Sequence, residues 1–267
     1  MMKTHLHIAA ILLTLAPWAA LSADAPTGLE IMRQVNARDD GDNRIAQISM
    51  TLIDRNGHQR QRQLVSYNKD RGRAVLQLLF FLDPPNVRNT GFLTYDYQDP
   101  GRDNDQWLYL PELYKTKRIA GSDKSQSFMG SDFSYADLNR QVLDEWKFKL
   151  LGERDVRGNK AWLVEATPVS EDVEQRYGYS KSVLFVRSDL NMVVRAVHWL
   201  AGGNRLKYLD IVNLQKIDGI WTATELDMRT VQAKETLHRT VMKFRNVRYN
   251  QNLDESIFTQ RRLEKGL

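Results

Sequence analysis

At 267 residues the chain has room for one large domain or two small ones. With no cysteine it has no disulfide, no thiolate metal site and no residue for acylation at a lipoprotein junction. Its net charge of +5, spread over 38 basic and 33 acidic residues, is too mild and too dispersed for a nucleic-acid footprint, yet it suits peripheral contact with anionic lipid headgroups.

Residues 1–22 carry Lys3 as their only charge, then an apolar run over 8–20 and the small residues of Ala20-Leu21-Ser22. That order predicts a cleaved secretory signal peptide and a mature domain over residues 23–267. The run is too short to span a bilayer, which needs about 20 residues. Export without a lipid anchor points to the periplasm of a double-membraned bacterium.

Thr27-Gly28-Leu29-Glu30 fits a capping box, and Leu29, Met32 and Val35 follow at helical spacing, so a short amphipathic helix is expected before Asp39-Asp40-Gly41-Asp42. From Ala46 the period changes to two. Ile48, Met50 and Leu52 alternate with polar residues, Asn56-Gly57 supplies a hairpin turn, and residues 60–67 return as a partner strand. Residues 73–81 are apolar on both faces and read as a strand covered on both sides.

The stretch 106–138, QWLYLPELYKTKRIAGSDKSQSFMGSDFSYADL, interrupts the pattern. Two short strand-like runs flank Pro111-Glu112, and a glycine- and serine-bearing segment over 121–134 then carries Phe128, Met129 and Phe133. Greasy side chains on polar loop backbone are expected to form a mobile flap. A helical turn capped by Ser134, with Asp137 three residues on, should close it.

Beyond it, turn signals recur at Gly158, Asp189, Gly203 and Gly219, at the 8–12 residue rhythm of an antiparallel meander. About a dozen strands and no linker favour one mainly β domain. A sheet of that width must curl, and two small helical pieces cannot fill its concave side, so part of that side is expected to be a cavity.

Chemistry-bearing groupings are sparse. His58, His198 and His238 lack metal-ligand spacing, and no serine sits in a nucleophile-elbow motif. The run from Asp99 to Asp105 lacks the register and terminal glutamate of a calcium-binding EF-hand. No catalysis, cofactor or metal is expected, and Glu165 reads as the polar side of its strand.

At QWLYLP, KRI and FMGSDFSYADL the chain resembles the larger branch of the LolA-like family, described as outer-membrane lipoprotein-sorting proteins. The likeness runs from the opening helix through FLDPPNVRNTGFLTYDYQ and LLGERDVRGNKAWLVEATP to the last strands. It implies an incomplete, strongly curved antiparallel β-barrel, plugged by helices and a loop, with an apolar cavity for lipid. It also implies exchange of cargo with an inner-membrane exporter of the resistance-nodulation-division type.

Candidate contacts for lipid or lipoprotein acyl chains are Leu78, Phe80, Trp107, Tyr109, Phe128, Met129, Phe133, Phe185, Trp199 and Trp221. Lys115, Lys117 and Arg118 are the candidates for headgroup or partner contact. A monomeric carrier is the leading expectation. The alternative is an envelope sensor or scaffold that grips a protein partner with its curved sheet.

Overall fold

The computed structural model describes residues 25–97, 99 and 101–267. The expected signal peptide lies outside the described residues. Helix α1 (Gly28–Asn36) is followed by β1 (Asn43–Asp54), β2 (Gln59–Arg71), β3 (Ala74–Asp83), β4 (Gly91–Tyr97), β5 (Asp105–Leu110) and β6 (Lys115–Arg118). After a long connection come β7 (Trp146–Val156), β8 (Asn159–Pro168), α2 (Glu171–Tyr177), β9 (Tyr179–Arg187) and β10 (Met192–Leu200). The chain then runs through β11 (Arg205–Ile217), β12 (Ile220–Gln232), β13 (Glu235–Tyr249) and α3 (Gln260–Lys265).

All thirteen strands form one antiparallel sheet, ordered β6-β5-β4-β3-β2-β1-β13-β12-β11-β10-β9-β8-β7. Its two edges, β6 and β7, are neighbours in sequence but do not pair, so the barrel stays open. The connection 119–145 crosses that opening and fills the concave side. The mainly β, incomplete barrel expected from the sequence is the fold observed.

The opening helix starts where expected. The Thr27 hydroxyl accepts from the Glu30 backbone N–H, and the Glu30 carboxylate accepts from the Thr27 N–H at 2.7 Å. Ile31 and Met32 are buried against β7 and β8. A Cβ on Gly28 would come within 3.0 Å of the backbone at Phe148 and Lys149, so this close approach needs glycine. Helix α2, by contrast, was not evident from the sequence. It is two turns long, capped by Ser170 and ended by left-handed Gly178, with Val173 as its one buried residue.

The half of the sheet from β1 to β5 buries apolar side chains on both of its faces. On the concave face, Ile48, Leu64, Leu79, Phe81, Phe92 and Leu108 pack against the plug. On the convex face, Val65, Leu78, Phe80, Leu93 and Tyr109 are covered by Phe258 and by Leu263 of α3. Gly91 makes room there, since a Cβ would lie 2.5 Å from a Leu263 methyl.

Candidate functional site

The segment 121–134 is a packed plug rather than the expected loose flap. It pairs with itself through a bridge between Ser127 and Ser134, with the Phe128 N–H donating to the Phe133 carbonyl at 2.7 Å. Phe128 is fully buried, its ring centroid 5.2 Å from that of Phe92 and 6.0 Å from that of Phe81. The Arg62 guanidinium donates to the Met129 carbonyl at 2.6 Å.

A second tether crosses to the other half of the sheet. The Asp132 carboxylate accepts from the Thr230 hydroxyl at 2.6 Å and the Thr240 hydroxyl at 2.8 Å, and pairs with His238 Nδ1 at 2.7 Å. Its backbone N–H donates to Thr240 Oγ1 at 2.9 Å. One acidic side chain thus fixes the plug to β12 and β13. As expected, Ser134 and Asp137 cap each other in the following turn, at 2.7 and 3.2 Å.

Between the plug, α1 and strands β9 to β12 lies an apolar cavity of about 300 Å³. Met32 and Val35 come from α1, Phe133 from the plug, and Leu184, Leu226 and Met228 from the sheet. This volume lies at the small end of the range for ligand sites. Its polar groups are largely paired with one another. The Tyr179 hydroxyl donates to Asp137 at 2.7 Å, Lys207 Nζ lies 3.7 Å from the same carboxylate, and the Tyr179 and His198 rings stack at 4.4 Å.

Burial, and then the neighbouring Asp137, raises the Tyr179 phenol well above its ordinary value. Burial also holds the His198 imidazole down at about 4. His198 Nδ1 and Ser182 Oγ are 2.7 Å apart in the cavity wall. So weak a base takes little of a serine proton at neutral pH, so this contact reads as a satisfied buried hydrogen bond rather than an activated nucleophile.

The residues singled out in the sequence do not come together. Phe128 and Phe133 join the concave core with Met129 at its margin, and Phe133 lines the cavity. Leu78, Phe80, Trp107 and Tyr109 instead sit on the convex face beneath the C-terminal segment, a correction to their expected place inside. Phe185 points away from cavity-lining Leu184, under the Arg195 guanidinium. Trp199 lies under the Lys181 ammonium, and Trp221 is exposed; neither lines the cavity. Of the basic candidates on edge strand β6, Arg118 pairs with Asp105 at 2.5 Å and Lys117 with Asp123 at 3.1 Å. Lys115 has no ion-pair partner among the described residues. The polar groups of the cavity wall, Asp137, Tyr179 and His198, and Lys207 behind them, were missed, because their meeting depends on cross-strand register.

An open half-barrel with a plugged concave side and an apolar cavity beside the plug has the architecture of a binding protein. A family model described as "Uncharacterized protein" matches residues 74–265, and the chain belongs to that family. A DUF1329 family protein from Desulfovibrio piger is 29% identical, with 88% of this chain and 97% of that one covered at a TM-score of 0.80. A proposed outer membrane lipoprotein-sorting protein domain from Vibrio parahaemolyticus is 28% identical, with 89% and 98% covered at a TM-score of 0.79. A LolA superfamily protein from Nitrosomonas europaea, 18% identical over 88% and 98% of the chains at a TM-score of 0.66, shares the fold. No curated protein matches the chain.

Proposed function

We propose that this chain is a periplasmic carrier that shields lipid or lipoprotein acyl chains in its apolar cavity during transport to or from the outer membrane. The observation that carries this reading is the 300 Å³ apolar cavity, walled by Met32, Leu184 and Met228 and bordered by the tethered plug at Phe133. Each methylene withdrawn from water contributes about 0.8 kcal/mol, so a cavity holding only part of a chain binds without any catalytic group. The fold shared with a proposed lipoprotein-sorting domain supports the same reading.

Loading and release would require the plug to move, and Asp132 is its main polar tether. Leu113 and Tyr114, exposed at the tip between β5 and β6 beside Lys115, offer an apolar and basic contact for a membrane surface. In this reading an inner-membrane exporter supplies or receives the cargo. The test is to purify the protein natively, extract it with organic solvent and quantify lipid. Stoichiometric lipid is expected; a protein that is empty and takes up no labelled acyl chain would refute the carrier reading.

A further inference from the structure

A second cavity, of about 230 Å³, opens on the other half of the concave face. It is polar where the first is apolar. Its floor follows from strand register: Arg44 on β1 lies opposite Asn68 on β2, Asn68 opposite Gln77 on β3, Gln77 opposite Thr94 on β4, and Thr94 opposite Gln106 on β5. The result is a row of five polar side chains across five adjacent strands, on the face where the neighbouring positions are Leu64, Leu79, Phe81 and Phe92.

Every member of that row holds a buried polar atom without a protein partner: Arg44 Nε, Asn68 Oδ1, Gln77 Oε1, Thr94 Oγ1 and Gln106 Oε1. Thr94 is 1% exposed and Gln106 fully buried. Unpaired buried groups each cost about 1–3 kcal/mol, and natural interiors hold few of them. Five in one register row, four of them on residues of the cavity floor, make a ligand-facing surface a better account than accident. The first four of them line the cavity.

The remaining wall sets the chemistry. Asp40, Asp70 and Asp96 face Arg44 and Arg140. Asp96 accepts from the Arg140 N–H at 2.8 Å and the Asn104 amide at 2.6 Å, and Arg140 reaches Asp40 at 2.7 Å and Asp70 at 3.7 Å. A phosphate dianion only accepts hydrogen bonds, leaves any acceptor in the row unpaired and meets the three carboxylates of Asp40, Asp70 and Asp96. An ammonium only donates and leaves Arg44 Nε unpaired. A hydroxyl both donates and accepts, so it satisfies the amides, Thr94 and Arg44 whichever way each amide is turned.

We propose that this cavity binds an uncharged polyhydroxylated group, a sugar or polyol. The group arrives either as a free small molecule or as the headgroup of an amphiphile whose chain occupies the apolar cavity. Asn139 lines both cavities, so they adjoin at this residue, as the second arrangement requires. The polyol site itself does not depend on the carrier reading.

The experiment titrates the purified protein, by calorimetry, with glucose and glycerol, each free and as its decyl ether, and with decyl phosphate, all below micelle-forming concentrations. Expected is at least one polyol decyl ether binding tenfold or more tightly than decyl phosphate. Thr94→Val and Asn68→Leu should each weaken that binding about tenfold while leaving decyl phosphate unchanged. Binding of free glucose or glycerol, weakened by the same variants, also supports the site and identifies the free molecule as the ligand. If neither decyl ethers nor decyl phosphate bind while a free polyol does, the carrier reading fails and this site stands. Equal affinity for all decyl ligands with indifference to both variants overturns the site and leaves the cavity to water. Absence of any binding overturns it as well. Should one variant not fold, the other and the wild-type preference for polyol over phosphate still decide.

Discussion

Replacing Asp132 by alanine tests whether the plug is held as the geometry indicates. The carboxylate is 1% exposed and has three side-chain partners, Thr230, Thr240 and His238, within 2.8 Å. A hydrogen bond to a charged group contributes about 1.5–3 kcal/mol, but three on one carboxylate do not add. Loss of the whole set leaves the partners unpaired in the interior, for which about 3–5 kcal/mol is the expected cost. Because the tether joins the plug to β12 and β13 while Phe128 anchors it elsewhere, the loss should fall first on local opening of residues 121–134. Hydrogen exchange of those amides should report an opening free energy lowered by about this amount, and urea unfolding a smaller global loss. An opening energy within 1 kcal/mol of wild type would refute the tether.

Three further outcomes follow. Phe128→Ala should destabilise the protein by about 3–5 kcal/mol in urea unfolding, since a fully buried ring touching Phe81 and Phe92 leaves a cavity behind; a cost under 1 kcal/mol would mean the ring is not packed as described. Burial raises the Asp96 carboxyl to about 6, so the folded state holds its proton more tightly than the unfolded chain, and Asp96 adds stability as pH falls from about 6 to 4. His198, held at about 4, acts in the opposite sense over nearly the same window, because the unfolded imidazole takes the proton first. Asp96→Asn should therefore lose stability relative to wild type by about 1.4 kcal/mol per pH unit from 6 down to 4, measured by urea midpoints; parallel pH profiles would contradict this. Leu113→Ser with Tyr114→Ser should weaken sedimentation with anionic vesicles about tenfold, from roughly 1–2 kcal/mol of lost apolar burial, and unchanged sedimentation would remove that tip as a membrane contact.

What was legible in the sequence was whatever rests on local chemistry. The Thr27–Glu30 capping box, the Asn56-Gly57 turn and the alternation of Ile48, Met50 and Leu52 each specify their element within a few residues, and all are present. The side of the sheet that faces the interior was not legible at β3. Leu78 and Phe80 are as apolar as Leu79 and Phe81, so alternation is silent there, and only the docking of Phe258 and Leu263 marks the even positions as convex. The plug read as a flap because its anchors are remote: Thr230, His238 and Thr240 lie about a hundred residues beyond Asp132. The polar row was invisible for a related reason. Arg44, Asn68, Gln77, Thr94 and Gln106 each look like the solvent side of a separate strand until register aligns them.

The central claim is that an acyl chain occupies the cavity between α1, the plug and β9 to β12. A photoactivatable fatty acyl probe, cross-linked to the protein and mapped by peptide mass spectrometry, tests it most directly. Adducts confined to Met32, Phe133, Leu184, Leu226 and Met228 are predicted; adducts on the convex side around Leu78 and Phe80, or none that an unlabelled fatty acid displaces, would contradict it.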